Sequence, residues 1–409
     1  MKLMNKPNID TESSKRKRTL IVSLPPEIIG GVGAMTRILA DFFRDKGHDV
    51  TIAYYATRRH RRELIGRPFF KKSQSRTETN FSSHHCVAVG CNFPELEFSY
   101  TQHSSLWQDL IDSHDYHIAA GGTVVVAAPL AKACVPHLIW CASDVYGDRS
   151  ARQAAMSLAR RVFDKSVVTP GLKRQEQQVL LGQGRVLAIS PFTRDCLSAL
   201  IPAERNKFCL LPIPTDMKYF TPPMKPASAI TLGFAGRLTD PRKNASLLFQ
   251  VIALVRKNGV DANLKITGET SPELNAEIKR HGLNKFVSFA GILNREGLRD
   301  FYQGLTVFII PSYQEGLSIV GIEAMASGVP VVSTRCGGPE SFVRDGKNGY
   351  LTDFDAKKMA ARVLDICTNS ELRQKFSKTA RSSVEEKYGF ENFKETMKQE
   401  WQGMWQEDL

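Results

Sequence analysis

The sequence PSYQEGLSIVGIEAMASGVPVV, residues 311–332, decides the fold prediction for this chain. Ahead of it, the apolar run Val307–Ile310 has the pattern of a buried parallel strand, and the positions from Ile319 onward have the apolar periodicity of a helix. Glu315 therefore lies in the turn at the carboxyl end of a strand, and Glu323 lies two turns along the helix, since a turn takes about 3.6 residues. Open α/β sheets bind ligands at that edge, where two carboxylates suit the hydroxyl groups of a sugar or a ribose.

This stretch resembles the donor-site signature of the retaining glycosyltransferases of family 4, which have the GT-B fold. The family pattern is E-G-[FL]-[GS]-(any four)-E-A-M-A-x-G-x-P-V-V, and the residues here match it almost throughout. In that family the first Glu, here Glu315, holds the donor sugar, and the second, here Glu323, takes the ribose hydroxyls. The backbone amides that face the sugar and the diphosphate would be those of Gly316, Leu317, Ser318 and Ile319. An isolated Glu pair would equally fit a solvated turn and an exposed helix position.

A second motif lies in the sequence ITLGFAGRLTDPRKNASLLFQVIALV, residues 230–255, which predicts a strand, a basic turn and a helix. Amide groups at a helix N-terminus favour an anion, and Arg237 and Lys243 add charge-assisted hydrogen bonds, so this arrangement suits a diphosphate. It is similar to the family's G-R-L…K-[GN] element, here beginning at Gly236, whose Arg and Lys neutralise the leaving nucleoside diphosphate. Because the Arg and the Lys are one residue further apart than is usual, Arg242 remains an alternative to Lys243.

Strand and helix patterns alternate nearly throughout the 409 residues, which predicts α/β architecture with parallel sheets covered on both faces. The resemblance implies the GT-B fold, with two doubly wound Rossmann-like domains facing a central cleft. A polar, Pro-rich linker at residues 214–228 would act as a hinge. The predicted divisions are a disordered basic lead-in at 1–18, an acceptor-binding domain at 19–216, a nucleotide-sugar-binding domain at 217–389, and a C-terminal helix at 390–409 that packs back on the first domain.

Two glycines complete the predicted donor site. A Gly-rich loop containing Gly31 follows the first predicted strand, and its spacing differs from the dinucleotide motif G-x-G-x-x-G. The resemblance implies that this loop lies across the cleft from the diphosphate, although a tight strand–helix turn would also require glycine. The resemblance further implies that the nucleotide base lies against the backbone near Gly291.

The first domain departs from the family pattern. Many members carry D-[VI]-[VIL]-H-x-H-[GN], whose second His reaches the donor sugar, and Ala120 occupies that position here. His117 is out of phase, because alternate residues of a strand face opposite sides, so we interpret it as a structural residue. Asp144 and Arg149 follow the next predicted strand and are candidates for acceptor or donor-sugar contacts. Turn-forming surface residues are the alternative interpretation of both.

Composition narrows the class of protein. The apolar fraction of 42% and the charged fraction of 24% are globular values. The sequence has no run of eighteen apolar residues, so it predicts no membrane span. The N-terminus lacks the apolar region of a secretory signal. The eight cysteines show neither C-x-x-C pairs nor zinc spacing, which favours free thiols in a reducing cytosol and predicts no metal site.

The formal net charge of +13 is concentrated in TRRHRRELIGRPFFKKSQSR, residues 57–76, which has eight basic residues and one acidic residue. Leu64, Ile65, Phe69 and Phe70 interleave with the basic residues. This pattern suits an anionic membrane surface, where each Lys or Arg contributes about 1 kcal/mol. We predict no nucleic-acid partner, because no nucleic-acid motif accompanies the stretch, and a solvated loop is the alternative.

These motifs predict a retaining glycosyltransferase of the hexosyltransferase type (EC 2.4). It would move a sugar from a nucleotide-sugar to a glycan or lipid-linked acceptor in the synthesis of a cell-surface polysaccharide, such as lipopolysaccharide, or of a glycolipid. Arg237 and Lys243 would stabilise the diphosphate without a metal, so we expect no cofactor besides the donor. The expected location is cytoplasmic, including a peripheral position on the inner face of the cytoplasmic membrane. The alternatives are a GT-B sugar-nucleotide epimerase and a non-catalytic glycan- or nucleotide-binding relative.

Overall fold

The structure is a computed structural model that describes residues 16–28, 30–57, 61–67, 70–81, 84–102, 104–154, 156–225 and 229–409. Within these ranges the chain forms two α/β domains, each built on one twisted sheet. Most of the predicted lead-in and residues 226–228 of the predicted linker lie outside the described residues.

The first sheet has eight strands among the described residues, in the order β3-β4-β2-β1-β5-β6-β7-β8. All its pairs are parallel except β3 with β4. The antiparallel edge strand β3 is absent from the sequence prediction, because its sequence SRTETN has no apolar run. The strands are β1 (Arg18–Ser23), β2 (Asp49–Tyr55), β3 (Ser75–Asn80), β4 (His84–Val89), β5 (Tyr116–Gly121), β6 (Leu138–Cys141), β7 (Arg185–Ala188) and β8 (Phe208–Leu210).

The second sheet is parallel throughout its six described strands, in the order β11-β10-β9-β12-β13-β14. The strand order reverses between β9 and β12, and in the first sheet it reverses between β1 and β5. Ligands of doubly wound sheets bind at such reversals. The strands are β9 (Ile230–Phe234), β10 (Ala262–Ile266), β11 (Val287–Phe289), β12 (Val307–Ile310), β13 (Val331–Thr334) and β14 (Gly349–Thr352).

Helices cover both faces of each sheet. Successive residues of β12 alternate between two separate apolar clusters, Phe308 and Ile310 in one and Val307 and Ile309 in the other, as a strand buried on both faces requires. In the first domain the helices are α1 (Gly31–Asp45), α2 (Ser105–Asp112), α3 (Ala128–Lys132), α4 (Val145–Ala154), α5 (Leu158–Phe163), α6 (Thr169–Leu181) and α7 (Pro191–Ser198). In the second domain they are α8 (Ala245–Lys257), α9 (Pro272–Arg280), α10 (Arg295–Gln303), α11 (Ile319–Ala326), α12 (Ala356–Thr368) and α13 (Ser370–Tyr388), followed by α14 (Phe390–Trp405).

The last helix, α14, returns to the first domain as predicted. The Trp401 ring lies with its centroid 4.5 Å from that of Tyr116, and the Phe393 ring lies 5.4 Å from Trp140. The Thr215 N–H donates to the Tyr388 carbonyl at 2.7 Å, so the chain crosses between the domains twice at neighbouring points. The predicted architecture of two doubly wound domains and a returning helix is therefore confirmed. No helix of the described part of the chain is long and apolar enough to cross a bilayer.

Candidate active site

Lys243 and Glu315 meet at the point where the second sheet reverses its strand order. Lys243 ends the turn after β9, and Glu315 lies in the loop after β12, which are adjacent strands. The Lys243 Nζ donates to Glu315 Oε1 at 2.6 Å, and the Ser312 hydroxyl donates to the same oxygen at 2.7 Å. Two of the three predicted catalytic side chains, 72 residues apart in sequence, thus form one ion pair, which is only partly exposed.

Local backbone geometry explains why the Lys243 side chain reaches Glu315 on the neighbouring loop. Asn244 adopts a left-handed conformation with φ of +50° and caps α8, where its side chain accepts from the Leu247 N–H. The Asn244 amide also donates to the Pro311 carbonyl at 3.2 Å, which joins the start of α8 to the end of β12. A capping residue that also holds the neighbouring loop fixes the position of the lysine directly before it.

Arg242 is engaged elsewhere. Its Nη2 donates to Asp240 at 2.7 Å, its Nη1 lies 3.7 Å from Asp148 of α4, and the bond to Asp240 raises the pKa of the guanidinium. The geometry therefore favours Lys243 over Arg242 as the cation beside Glu315. Arg237 is exposed in the turn that follows β9.

The N-terminus of α11 presents an unused hydrogen-bonding group. Ser318 holds a left-handed conformation with φ of +70°, and its buried hydroxyl has no hydrogen-bond partner among the described residues. Opposite it is the first domain's Gly-rich loop, since a Cβ on Gly31 would lie 3.3 Å from the Ile319 side chain. The N-termini of α1 and α11 therefore lie close together, and the cap of α11 follows Glu315, the partner of Lys243, by three residues. Helix N-termini favour anions. This arrangement could hold a diphosphate.

Three glycines with positive φ bring backbone close together at the ends of β9, β10 and β11. They are Gly236 at +133°, Gly268 at +94° and Gly291 at +70°. The Gly268 N–H donates to the Gly291 carbonyl at 2.7 Å, and a Cβ on Gly268 would lie 2.9 Å from the Gly236 carbonyl oxygen. Such backbone surfaces allow a flat ligand to approach closely.

Glu323, within α11 itself, is held by a hydroxyl. The Tyr302 hydroxyl donates to Glu323 Oε2 at 2.7 Å, and burial raises the pKa of this carboxyl to about 7. Tyr302 and Ser312, the partners of the two glutamates, were not among the residues predicted from the sequence. Ser312 lies in the stretch 311–332, three residues before Glu315, but ahead of the family pattern that begins at Glu315. Tyr302 lies in α10, outside any motif, and only the fold brings it to Glu323.

The two first-domain candidates, Asp144 and Arg149, differ in whether they lie near the loop of Glu315. The Asp144 carboxylate accepts from the Gly147 N–H at 3.2 Å, and a Cβ on Gly147 would lie 2.2 Å from Gln314 Nε2, so this turn adjoins the loop of Glu315. Arg149 is only 3% exposed and donates to Glu97 at 2.6 Å and to Asp164 at 2.5 Å. Its predicted acceptor contact is not supported, because the guanidinium is already bound inside the domain.

His117 is structural, as interpreted from the sequence. Its Nε2 lies 3.0 Å from the Ile111 carbonyl, to which it donates, and burial lowers the pKa of the imidazole. A carboxyl missed by sequence reasoning, Glu176 of α6, lies beneath the start of α4. It accepts from the Val145 N–H at 2.8 Å, and burial raises its pKa to about 7.

The basic stretch 57–76 is less available than its sequence indicates. Leu64 and Ile65 are buried in the core, and Arg61 is a buried residue that pairs with Glu27 and Glu78. These residues were expected at a membrane surface and are instead internal, since they join the β3–β4 edge to the rest of the domain. Phe69 and residues 58–60 lie outside the described residues.

The described residues contain no cluster of three or more His, Cys, Asp or Glu that could hold a metal ion. The eight cysteines are free.

Two doubly wound domains with a returning C-terminal helix define the GT-B class, and solved structures agree. Sucrose-phosphate synthase from Thermosynechococcus elongatus is 19% identical with a TM-score of 0.70, covering 95% of this chain and 99% of that one. The Anabaena protein HepE, in complex with UDP and glucose, is 16% identical with a TM-score of 0.70, covering 95% and 100%. At these identities the likeness concerns the fold.

Residues 219–383 match the model of the family described as glycosyl transferases group 1. The D-inositol 3-phosphate glycosyltransferase of Arthrobacter sp. (strain FB24) is 28% identical over 228 residues, which are 51% of this chain and 54% of that protein. The lipopolysaccharide core biosynthesis glycosyltransferase LpsE of Rhizobium meliloti (strain 1021) is 33% identical over 160 residues, or 39% and 46%. The chain thus spans about half the length of the curated relatives it matches. The resemblance is confirmed: the second domain belongs to the group 1 glycosyltransferases.

Proposed function

We propose that this protein is a retaining glycosyltransferase that moves a hexose from a nucleotide-sugar to a glycan or lipid-linked acceptor. The observation that carries the proposal is the 2.6 Å contact between Lys243 and Glu315 beside the N-terminus of α11. It puts a cation, a carboxylate and the unpartnered Ser318 hydroxyl at the reversal point of the sheet, where nucleotides bind in such folds.

In this proposal Lys243 and Arg237 bind the diphosphate together with the amides at the start of α11. When the bond between the anomeric carbon and the phosphate oxygen breaks, negative charge grows on the diphosphate and positive charge on the sugar ring. Lys243 and Arg237 stabilise the first, and Glu315 stabilises the second. Preorganised charges of this kind usually contribute more to the rate than any other single effect in catalysis.

The remaining predicted residues bind the rest of the donor. Glu323 accepts the ribose hydroxyls, and the base lies on the backbone near Gly236 and Gly291. The Gly31 loop closes the site from the first domain. Since burial raises the pKa of Glu323 to about 7, ribose binding also supplies the hydrogen-bond donors that favour its ionised form.

The relatives suggest substrates. HepE is named with UDP-glucose, which makes UDP-hexoses the first donors to test. LpsE is named for lipopolysaccharide core biosynthesis, which supports a role in the synthesis of a cell-surface polysaccharide or glycolipid.

We also propose that the first domain associates with anionic membrane, through a face different from the one expected. Leu158 is 76% exposed and Val162 is 59% exposed, and the π-helical turn Asp164–Val168 keeps Val167 exposed as well. The two acidic residues of the segment 157–178, Asp164 and Glu176, are buried. The solvent side of the segment 157–178 therefore offers apolar side chains whose exposed charged neighbours are all cations: Lys165, Lys173 and Arg174.

Thermal shift with UDP, GDP and ADP tests the donor site. A ligand at about 100 times its dissociation constant stabilises a protein by about 2.7 kcal/mol, and Arg237→Ala should reduce that shift. NMR of the product with donor and acceptor should show the donor's anomeric configuration retained, and inversion would contradict the proposal.

The same NMR separates the alternatives. A new epimer formed from donor alone would indicate an epimerase, and nucleotide binding without turnover on any acceptor would indicate a non-catalytic relative. Transfer should persist in EDTA, since Lys243 and Arg237 supply the positive charge. Loss of activity in EDTA that Mg²⁺ restores would overturn the metal-independent mechanism.

A further inference from the structure

A cavity of about 520 Å³ lies at the junction of the two domains, behind the loop that carries Glu315. Pro191 and Phe192, in the first turn of α7, form the wall from the first domain. The remaining walls come from the loops after β12, β13 and β14 of the second domain. The volume lies within the range of small-molecule sites, roughly 300–1,000 Å³.

Two aromatic side chains in this cavity face water. Tyr313 is 56% exposed and Phe354 is 50% exposed, and their ring centroids lie 5.6 Å apart with the planes inclined at 35°. Their partial burial contributes little to the core, so packing does not explain a paired aromatic surface here. The negative faces of aromatic rings attract the weakly positive C–H groups of a pyranose ring, and the apolar face of the sugar leaves water on contact.

Polar groups surround the aromatic pair. Gln314 and the half-exposed Arg335 offer hydrogen-bond donors, and the nearest ion-pair partner of Arg335, Asp345, lies 3.7 Å away. The Glu340 carboxylate is also in the wall and accepts from the Gly337 N–H at 3.0 Å. One cation and one carboxylate leave no net charge to balance a diphosphate, so the chemistry suits a neutral sugar better than a nucleotide.

The cavity shares its wall with the candidate active site. Gln314 directly precedes Glu315, the Glu315 N–H donates to the Cys336 carbonyl at 2.9 Å, and the Gly338 N–H donates to the Glu315 carbonyl at 2.7 Å. The backbone of Glu315 thus faces the cavity loops while its side chain reaches Lys243. A sugar bound here would lie one loop away from the reacting centre.

We propose that this cavity binds a pyranose ring of the glycan acceptor. The ring stacks on Tyr313 and Phe354, and Gln314, Arg335 and Glu340 bind its hydroxyl groups. This inference rests on the proposed function and adds a subsite to it: the ring held here positions the acceptor, and the reacting hydroxyl belongs to a neighbouring sugar.

Saturation-transfer NMR tests the subsite with maltose, lactose and the methyl hexopyranosides of glucose, galactose and mannose at millimolar concentration. We expect saturation transfer from the full chain to the C–H protons of at least one of these sugars. Phe354→Ala and Tyr313→Ala should each weaken binding by about tenfold, a typical loss for an aromatic contact. Phe70→Ala, which removes another exposed aromatic side chain in the first domain, should leave binding unchanged.

No transfer to any of these sugars, or equal transfer in Phe354→Ala, would overturn the subsite. The thermal shift with nucleotides is measured on the same variants. Sugar binding without a nucleotide shift would support the subsite and count against the proposed function, whereas a nucleotide shift without sugar binding would overturn the subsite alone. Because Tyr313 and Phe354 are half exposed, both variants should fold, and unchanged melting temperatures check this.

Discussion

The charged residues of the two domains are arranged in opposite ways. In the second domain Lys243 and Glu315 meet at the edge of the cleft, and the Ser318 hydroxyl beside them has no partner within the described residues. In the first domain Arg149 and Arg61 are buried and bound by carboxylates of the same domain. The charges of the second domain can therefore bind a ligand, whereas those of the first domain join segments of that domain.

The largest effect should follow from removing the available pair. Lys243→Ala should lower the rate of transfer about 10²- to 10³-fold, because a preorganised charge beside the leaving group is lost. Glu315→Ala should have an effect of similar size, and both proteins should stay folded by circular dichroism.

Arg242→Ala is the control, since that neighbouring arginine is bound by Asp240. If Arg242→Ala lowered the rate of transfer as much as Lys243→Ala, the assignment of Lys243 rather than Arg242 as the catalytic cation would be contradicted.

Removing a buried first-domain charge should instead destabilise the fold. Arg149→Met leaves Glu97 and Asp164 without their shared partner, and breaking a buried pair costs about 3–5 kcal/mol. Urea unfolding measures this loss, and Arg152→Ala, which removes only an exposed pair with Asp148, should cost less than about 1 kcal/mol. Unchanged stability of Arg149→Met, with a raised KM for acceptor, would restore the acceptor contact predicted from the sequence.

Two carboxyls extend the contrast to pH dependence, since desolvation raises the pKa of both Glu323 and Glu176 to about 7. Each folded-state pKa lies above the ordinary value of 4.5, so the unfolded chain releases these protons first. Stability should therefore fall as pH rises from about 4.5 to about 7, and replacing either Glu by Gln should reduce that slope.

Only Glu323→Gln should also weaken nucleotide binding, by about tenfold, because it removes the proposed ribose acceptor. Thermal denaturation between about pH 4.5 and 8, with and without nucleotide, measures both effects. An equal loss of nucleotide affinity in Glu176→Gln would show that the effect is not specific to the donor site.

The smallest effect concerns the proposed membrane face. Lys165→Gln should lower affinity for vesicles containing phosphatidylglycerol by about fivefold, since a cation at an anionic surface contributes about 1 kcal/mol. Co-sedimentation measures this, with neutral phosphatidylcholine vesicles for comparison. Lys72→Gln, in the stretch 57–76, should change binding less, and the reverse order would return the membrane contact to that stretch.

The elements around the site that sequence predicted correctly are those encoded locally. The strand, turn and helix around Glu315 follow from apolar periodicity, and the family pattern spans them in one continuous run. Arg149 was misinterpreted because its partners, Glu97 and Asp164, are distant in sequence, and nothing in the residues around it indicates burial. Likewise, β3 has a polar sequence and exists only because β4 offers it an edge.

The return of α14 has a consequence for how the protein is made. Trp401 is completely buried against Tyr116 and Phe43, so the core of the first domain is completed by a residue synthesised after the whole second domain. At about 5–20 residues per second, translation from residue 216 to residue 401 takes roughly 10 to 40 s. For that time the nascent first domain exposes an apolar surface on a ribosome-bound chain, where chaperones can bind it. A premature stop codon before α14 would likewise damage the first domain, although it spares every residue of that domain's sheet.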